Sequence, residues 1–344
     1  MHDDEISSVS DLLRILTDLG EPAEGHTRFF RGQGNAKWDI LPGIYREDRR
    51  KLIENEDKII NEALLNCPDD FSPADTLLEK LVKLQHYGYP TRLLDLTANA
   101  LVGLYFSCSN ESHNDKNGEL IILDIPNDYV KYDDSDRVAI LSSISLSNSR
   151  FNVSNAHEQS FRNLVISGVN HSKDLQKIID NIDDVFENHL ETLTSTLDDR
   201  TLNRDEIIEE LKEKFNEELL LKEFNKNNDI ISLLHIIQHD KPSFRPVINY
   251  SDFNQVLCVK VKLNNSRISR QQGAFLIFGI DKSKLIPAQI PNIWQRKIGD
   301  SKIIVKANSK ANILKELKTF GISKQTLFPE LESQASEIIA QYSN

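Results

Sequence analysis

The chain has 344 residues, 39% hydrophobic and 27% charged. This composition suits a globular protein of one large domain or two closely packed ones and excludes disordered and low-complexity architectures. The net charge of −12 disfavours general coating of DNA, because the phosphates must be neutralised by cations. No run of ~18 apolar residues is present, the acidic start lacks the apolar region of a signal peptide, and three scattered cysteines match no zinc spacing. We therefore expect a cytoplasmic protein without a membrane partner or a metal site.

Alternating helix and strand patterns fill residues 1–126. Helical signals are apolar residues at i, i+3, i+4 and i+7, and strand signals are short β-prone runs ended by glycine or proline. Ser72-Pro73 has the composition of a helix start, with a cap residue before a proline. These patterns predict helices at 10–19, 49–66, 73–87 and 101–108, strands or extended segments at 27–32, 91–97 and 119–125, and an ordered loop at 33–46.

Residues 127–240 have a different hydropathy pattern from the first 126 residues, because they contain no long apolar strand. Within them, stretch 171–225 carries 16 acidic and 7 basic side chains, which predicts helices with solvated faces. We interpret 127–240 as a helical acidic insertion or subdomain between two parts of one domain, 1–126 and 241–344. The last part shows strand patterns at 256–263, 274–278 and 302–305 and helices at 308–319 and 330–341. The whole pattern predicts an α+β fold, a small mixed or antiparallel sheet with surrounding helices.

The charge of residues 241–325 is opposite to that of the rest of the chain. This segment has 16 basic and 4 acidic side chains, so the remainder carries 25 basic and 49 acidic ones. One interpretation is that the basic segment docks on the acidic remainder. The other is that it binds an anionic ligand or nucleic acid. The cations that would then contact phosphates are Lys260, Lys262, Arg267, Arg270, Arg296 and Lys297.

The segment Gln85–Asp95 has the highest density of functional groups. His86 can exchange a proton near neutral pH, Tyr87 or Tyr89 can stack on a base, and an Arg92–Asp95 pair would orient the guanidinium. These residue types predict the wall of a ligand pocket. The alternative is a buried polar network that fixes a helix to the sheet.

Two further segments add to this pocket hypothesis. Arg31 leaves a predicted strand beside Gly32, so it can offer a forked donor to phosphate while the glycine lets a ligand approach the backbone. Residues 267–275 place two arginines and two glutamines before an apolar strand, where Gln272 can present its amide to a ribose hydroxyl. Surface or paired arginines and a capped turn are the alternatives.

The three segments together resemble the FRG domain family. The resemblance rests on Phe30-Arg31-Gly32, on the long motif from Gln85 to Thr97, on residues 267–275 and on the tail Leu327–Leu331. It extends over about residues 27–335 and is weakest in the acidic stretch. It implies a bacterial or phage protein with a toxin or antiphage defence role.

The sequence also bears a fainter similarity to ADP-ribosyltransferase-type folds. That similarity implies NAD as the bound nucleotide, with Arg31 on its diphosphate, Thr91 or Thr97 supporting the ribose and Tyr105 stacking. Gln272 would occupy the late position of that family, where a glutamate is expected. Glutamine is neither a carboxylate base nor a negative charge.

Asp95 or His86 must therefore supply the charge or the proton transfer. Gly32, Tyr87 and Arg92 complete the predicted nucleotide contacts. The first hypothesis is an ADP-ribosyltransferase or NAD glycohydrolase with a protein or RNA acceptor. The second is a nucleotide-sensing module that responds to a phage-derived trigger without catalysis, and the third is nucleic-acid binding through 241–325.

Overall fold

A mixed, open sheet forms the centre of the computed structural model, which describes residues 4–46, 49–169, 217–262, 265–299 and 301–342. Within these residues its nine strands are β1 (Glu5–Ile6), β2 (His26–Gln33), β3 (Leu93–Thr97), β4 (Gly118–Pro126), β5 (Val130–Tyr132), β6 (Val256–Lys260), β7 (Gly273–Phe278), β8 (Gln295–Arg296) and β9 (Ile304–Val305). The helices are α1 (Val9–Leu19), α2 (Arg50–Ile53), α3 (Glu56–Asn66), α4 (Leu77–His86), α5 (Ala100–Cys108), α6 (Asp136–Ser143), α7 (Val153–Val169), α8 (Glu217–Phe224), α9 (Asn228–Asp240), α10 (Ser266–Gln271), α11 (Lys310–Thr319), α12 (Lys324–Leu327) and α13 (Leu331–Tyr342).

The strand order places a division in the middle of the sheet. The order is β1-β9-β4-β2-β3-β7-β6-β5, and β8 pairs with β4. The pairs β1–β9 and β5–β6 are parallel and all others are antiparallel. Strand β2 pairs with β4 from His26 to Gln33, but it pairs with β3 only through Phe30 and Thr97. Because β2 and β3 diverge beyond that pair, they leave a cleft between the two halves of the sheet.

The predicted α+β class is confirmed, although the sheet is larger than the small one expected. The additional strands β1, β5 and β8 have only two or three residues each, too few for an alternating pattern to be recognisable. The helix expected from Ser72-Pro73 begins instead at Leu77, because Thr76 and Glu79 form a reciprocal capping box there.

Three apolar clusters hold the helices on the sheet. One unites α4, α6 and α9 with the β6–β7 half, and its buried residues include Leu81, Leu141 and Ile237. The second packs α1, α5 and α11 on the other half, and the third covers the opposite face around Trp294. The division into 1–126, 127–240 and 241–344 stays a prediction, since most of stretch 171–225 lies outside the described residues. No helix of the described ranges combines the length and apolar composition needed to cross a membrane.

Ion pairs connect the basic segment 241–325 to the acidic remainder. Six of its cations contact carboxylates outside the segment at 2.5–3.5 Å. The cations are Lys241, Lys262, Lys284, Arg296, Lys302 and Lys306. These contacts favour the docking interpretation over a free cationic surface.

Candidate functional site

A cavity of about 360 Å³ lies where β2 and β3 diverge. Its walls come from all three segments that the sequence analysis selected, although these are far apart along the chain. Among the residues that line it are Phe30, Arg31, Gly32, Gln85, His86, Asp95, Thr97, Arg267, Gln271 and Phe275. The divergent strands thus create a pocket at the centre of the sheet, the kind of concave position in which small molecules bind.

Gly32 allows helix α5 to cross strand β2 in direct contact. A Cβ atom at this position would lie 2.0 Å from the carbonyl oxygen of Gly103 and 2.4 Å from the backbone nitrogen of Ser107. The neighbouring helix therefore requires a glycine here. Because Gly32 also lines the cavity, the expectation that it lets a ligand approach the backbone stays a prediction. The close packing fixes the strand that carries Arg31.

Arg31 brings a cation with unused hydrogen-bonding capacity into the cavity. Its Nη1 donates to the backbone oxygen of Asp95 at 2.8 Å, across the gap between β2 and β3. Its Nε is buried and has no partner within the described part of the chain. Burial lowers the pKa of Arg31 to about 10, so the guanidinium stays charged at neutral pH.

Gln85 connects the end of helix α4 to strand β3. Its Nε2 donates to Oδ2 of Asp95 at 2.7 Å, and its Oε1 accepts from the hydroxyl of Thr91 at 2.5 Å. Gly88, with a φ of +88°, lets the chain turn back between these two elements. The carboxylate of Asp95 is thereby held at the cavity wall while it remains exposed to solvent.

His86 pairs with a carboxylate that the sequence analysis did not select. Its Nε2 lies 3.0 Å from Oε1 of Glu330, and the imidazole is mostly buried. Burial lowers the pKa of His86, and the nearby Arg267 lowers it further, whereas Glu330 and Asp95 act in the opposite direction. Glu330 lies in the tail motif, but a contact across more than 240 positions leaves no local pattern in the sequence that would assign it a role.

The tail Leu327–Glu330 borders the cavity through contacts with helix α10. Asn265 caps this helix, which points Arg267 and Gln271 toward the tail. The guanidinium of Arg267 lies over the ring of Phe328, 4.6 Å from its centroid, and Nε2 of Gln271 donates to the carbonyl oxygen of Leu327 at 3.2 Å. The late motif and the tail therefore form one continuous edge of the site.

Arg92 does not reach the cavity. Its side chain is fully buried on the other side of β3, where Nε donates to Oε1 of Glu56 at 3.0 Å and Nη2 bonds to Oε2. The expected Arg92–Asp95 pair is corrected accordingly, because Glu56 supplies the carboxylate. This arrangement is the buried polar network that the sequence analysis left open.

Four other predicted contacts also lie outside the cavity walls. Gln272 is exposed and ends helix α10 with a left-handed φ of +48°. Thr91 is buried and its hydroxyl bonds to Gln85, and Tyr105 is buried in the apolar cluster beneath β2. Tyr87 is 66% exposed and lines a neighbouring cavity of about 260 Å³.

Thr97 does line the cavity, but its hydroxyl is already used by the backbone. It donates to the carbonyl oxygen of Gln271 at 2.6 Å and accepts from the N–H of Asn99 at 3.0 Å. Thr97 thus joins β3 to the late motif and holds that motif at the site. Among the described residues, no three or more His, Cys, Asp and Glu side chains converge on a metal position.

Comparison with known proteins gives one match. Residues 26–116 match the family model of the FRG domain, which includes the first two motifs but neither the late motif nor the tail. No curated protein and no solved structure matches the chain significantly.

Proposed function

The chain contains an FRG domain, and we propose that its central cavity binds NAD and cleaves the bond between the ribose and the nicotinamide. The observation that carries this proposal is Arg31. A charged guanidinium with a buried, unpartnered Nε is costly in a folded protein. A phosphate oxygen would supply the missing acceptor and the opposite charge.

The other walls of the cavity suit the remaining parts of a dinucleotide. Arg267 adds a second cation for a diphosphate, and the rings of Trp38 and Phe106 in the cavity wall supply aromatic contacts for a base. The volume of about 360 Å³ falls at the lower end of the range of small-molecule cavities, roughly 300–1,000 Å³. Part of a dinucleotide would therefore extend to the open side.

The polar groups of the cavity provide the chemistry of glycosidic cleavage. The carboxylate of Asp95 can stabilise the positive charge that develops on the ribose ring as the bond to nicotinamide breaks. Nicotinamide leaves as a neutral molecule with the electron pair of that bond. The attacking oxygen belongs to water or to a protein or RNA acceptor, and His86 takes its proton.

The biological setting follows from the family resemblance. A reaction that consumes NAD, or that modifies an acceptor with ADP-ribose, suits a toxin or an antiphage defence effector of a bacterium or phage. We keep this role as part of the proposal.

A second candidate is a nucleotide-sensing module that uses the same cavity without catalysis. It is favoured by the late motif, because Gln271 rather than a glutamate lines the cavity there and Gln272 lies outside it. This candidate predicts that a nucleotide stabilises the protein by about RT ln(1 + [L]/Kd) and is recovered unchanged. Nucleic-acid binding through 241–325 ranks lower, because Lys262 and Arg296 are already paired with carboxylates.

The proposal predicts that replacing Arg31 with alanine reduces nicotinamide release roughly 100-fold, since a charged hydrogen bond to a buried phosphate contributes about 2–3 kcal/mol. Purified protein is incubated with NAD, and free nicotinamide is followed by chromatography. Arg31→Lys keeps the positive charge but loses the bidentate geometry of the guanidinium. Its rate of nicotinamide release should therefore lie between those of the unmodified protein and Arg31→Ala.

The control is Arg50→Ala. Arg50 is 84% exposed, pairs with Glu54 at 3.9 Å and does not line the cavity, so this variant should release nicotinamide at the rate of the unmodified protein. Absence of release from the unmodified protein, with or without cell extract, contradicts the enzyme. Stabilisation by NAD without release would then establish the sensing module.

A further inference from the structure

We propose that Glu330 and His86 form a dyad in which Glu330 positions His86 as the proton acceptor of the site, so that the tail Leu327–Glu330 is part of the catalytic apparatus. This inference rests on the proposed function and adds a positioning residue to it. It assigns a role to a segment that lies about 230 positions after the motif with His86.

The geometry decides which imidazole nitrogen is available. Oε1 of Glu330 lies 3.0 Å from Nε2 of His86, and a carboxylate can only accept, so Nε2 carries the hydrogen. In the neutral imidazole the lone pair then belongs to Nδ1. His86 lines the cavity and no hydrogen bond to its Nδ1 is found among the described residues, so we assign this lone pair the role of accepting a proton from a bound molecule.

Contacts on both sides hold Glu330 in place. Before it, the backbone of Leu327 accepts from Gln271, and the ring of Phe328 packs edge-on against Phe106 with 6.1 Å between centroids. After it, Nε2 of Gln334 donates to the carbonyl oxygen of Phe328 at 2.9 Å. These contacts fix the backbone from which the Glu330 side chain extends, and a fixed support of this kind holds its carboxylate close to His86.

The charges that face His86 come from three elements. Arg267 on α10 disfavours a second proton on the imidazole, whereas Glu330 on the tail and Asp95 on β3 favour it. Burial adds to the effect of Arg267, and the pKa of His86 lies below its ordinary value. The imidazole is therefore mainly neutral at pH 7, which is the form that accepts a proton.

The dyad serves the transfer of one proton from the attacking oxygen to His86. The oxygen of water, or of an acceptor hydroxyl, forms a bond to the ribose carbon as the bond to nicotinamide breaks. The proton of that oxygen moves to Nδ1 of His86, and the imidazolium that results is stabilised by the carboxylate of Glu330. The proton is then released to solvent, so His86 returns to its neutral form.

The test is the pH profile of nicotinamide release by the full-length protein with Glu330 replaced by glutamine. In the unmodified protein, kcat should fall on the acid side as His86 becomes protonated. Glu330→Gln removes a charge that raises the pKa of His86, so this fall should move to lower pH. The plateau of kcat should drop about tenfold with little change in KM, because Glu330 is not among the residues that line the cavity.

Two further variants distinguish a positioning role of Glu330 from a general loss of activity caused by any substitution. Glu111→Gln, at an exposed position in a short 3₁₀ turn, should leave the profile unchanged. In a His86→Ala background, Glu330→Gln should cause no additional loss, because the two residues act as a unit. An unmoved acid limb in Glu330→Gln, or a full tenfold additional loss in the His86→Ala background, overturns the dyad.

A spectroscopic measurement distinguishes failure of the dyad from failure of the proposed function. NMR of protein labelled with ¹⁵N-histidine, without NAD, reports the tautomer and the pKa of His86, assigned with His86→Ala. We expect the Nε2–H tautomer and a lower pKa in Glu330→Gln. If the protein shows this tautomer and this lower pKa but releases no nicotinamide, the pairing of His86 with Glu330 is supported and NAD cleavage is contradicted. An Nδ1–H tautomer in an active protein overturns the dyad alone.

Discussion

Replacing Glu56 with alanine is expected to lower the free energy of unfolding by about 3–5 kcal/mol, because it leaves two buried cations without their carboxylate. Glu56 is 1% exposed and accepts from Arg92. Nζ of Lys284, also fully buried, lies 3.4 Å from its second oxygen. Burial already lowers the pKa of Lys284 to about 8, although Glu56 opposes this effect. Chemical denaturation monitored by circular dichroism measures the loss.

The control for this experiment is two positions away. Glu54 pairs with Arg50 at 3.9 Å on an exposed surface, where an ion pair typically contributes about 0–1 kcal/mol. Glu54→Ala should therefore change the free energy of unfolding by less than about 1 kcal/mol. Equal losses for Glu54→Ala and Glu56→Ala would contradict a structural role of the buried network.

This network also determines how Arg92 variants should be interpreted. Because Arg92 holds Glu56 and lies outside the cavity, Arg92→Ala should lose stability and nicotinamide release together. Arg31→Ala should lose release while the protein stays folded. The contrast between these two arginines distinguishes residues that hold the sheet from residues that contact the ligand.

Replacing Gly32 with alanine is the second change with a large expected effect, a loss of about 3 kcal/mol or more in the free energy of unfolding. The new Cβ would meet the carbonyl of Gly103 and the backbone nitrogen of Ser107 at distances far below van der Waals contact. Backbone atoms in the middle of a helix cannot move aside as a flexible side chain can. Either α5 separates from β2 or the strand shifts, and both displace Arg31.

Gly43→Ala is the matched control for this prediction. A Cβ atom at position 43 would meet the end of the Arg49 side chain at 3.2 Å, a contact that a small side-chain rotation relieves. We expect Gly43→Ala to cost less than about 1 kcal/mol. Thermal unfolding of the two variants side by side makes the comparison, and a Gly32→Ala protein as stable as Gly43→Ala would contradict the role given to the crossing helix.

The sequence was most informative where a pattern is local. Apolar runs such as 119–125 and 274–278 predicted buried strands, and the grouping of polar side chains in Gln85–Asp95 predicted a cavity wall. The structure places Arg31, His86 and Asp95 around one cavity. The motif therefore indicated the place of a site before its geometry was visible.

Partnerships over long sequence separations could not be predicted. Arg92 and Asp95 suggested a pair because they are close in sequence, but the partner of Arg92 is Glu56 on a preceding helix, and Asp95 accepts from Gln85. Gln272 and Gln271 are adjacent, and only the left-handed turn at Gln272 decides which one lines the cavity. The contact between His86 and Glu330 depends on where the chain returns to the sheet.

The central claim is that the cavity between β2 and β3 binds NAD through Arg31 and Arg267. Calorimetric titration with an NAD analogue that has a carbocyclic ribose, and so cannot be cleaved, tests it without turnover. We predict saturable binding of one equivalent to the unmodified protein. Binding should weaken roughly tenfold in Arg267→Ala and at least as much in Arg31→Ala, and it should be unchanged in the exposed control Arg50→Ala. Absence of binding to the unmodified protein, or equal binding by all the variants, would contradict it.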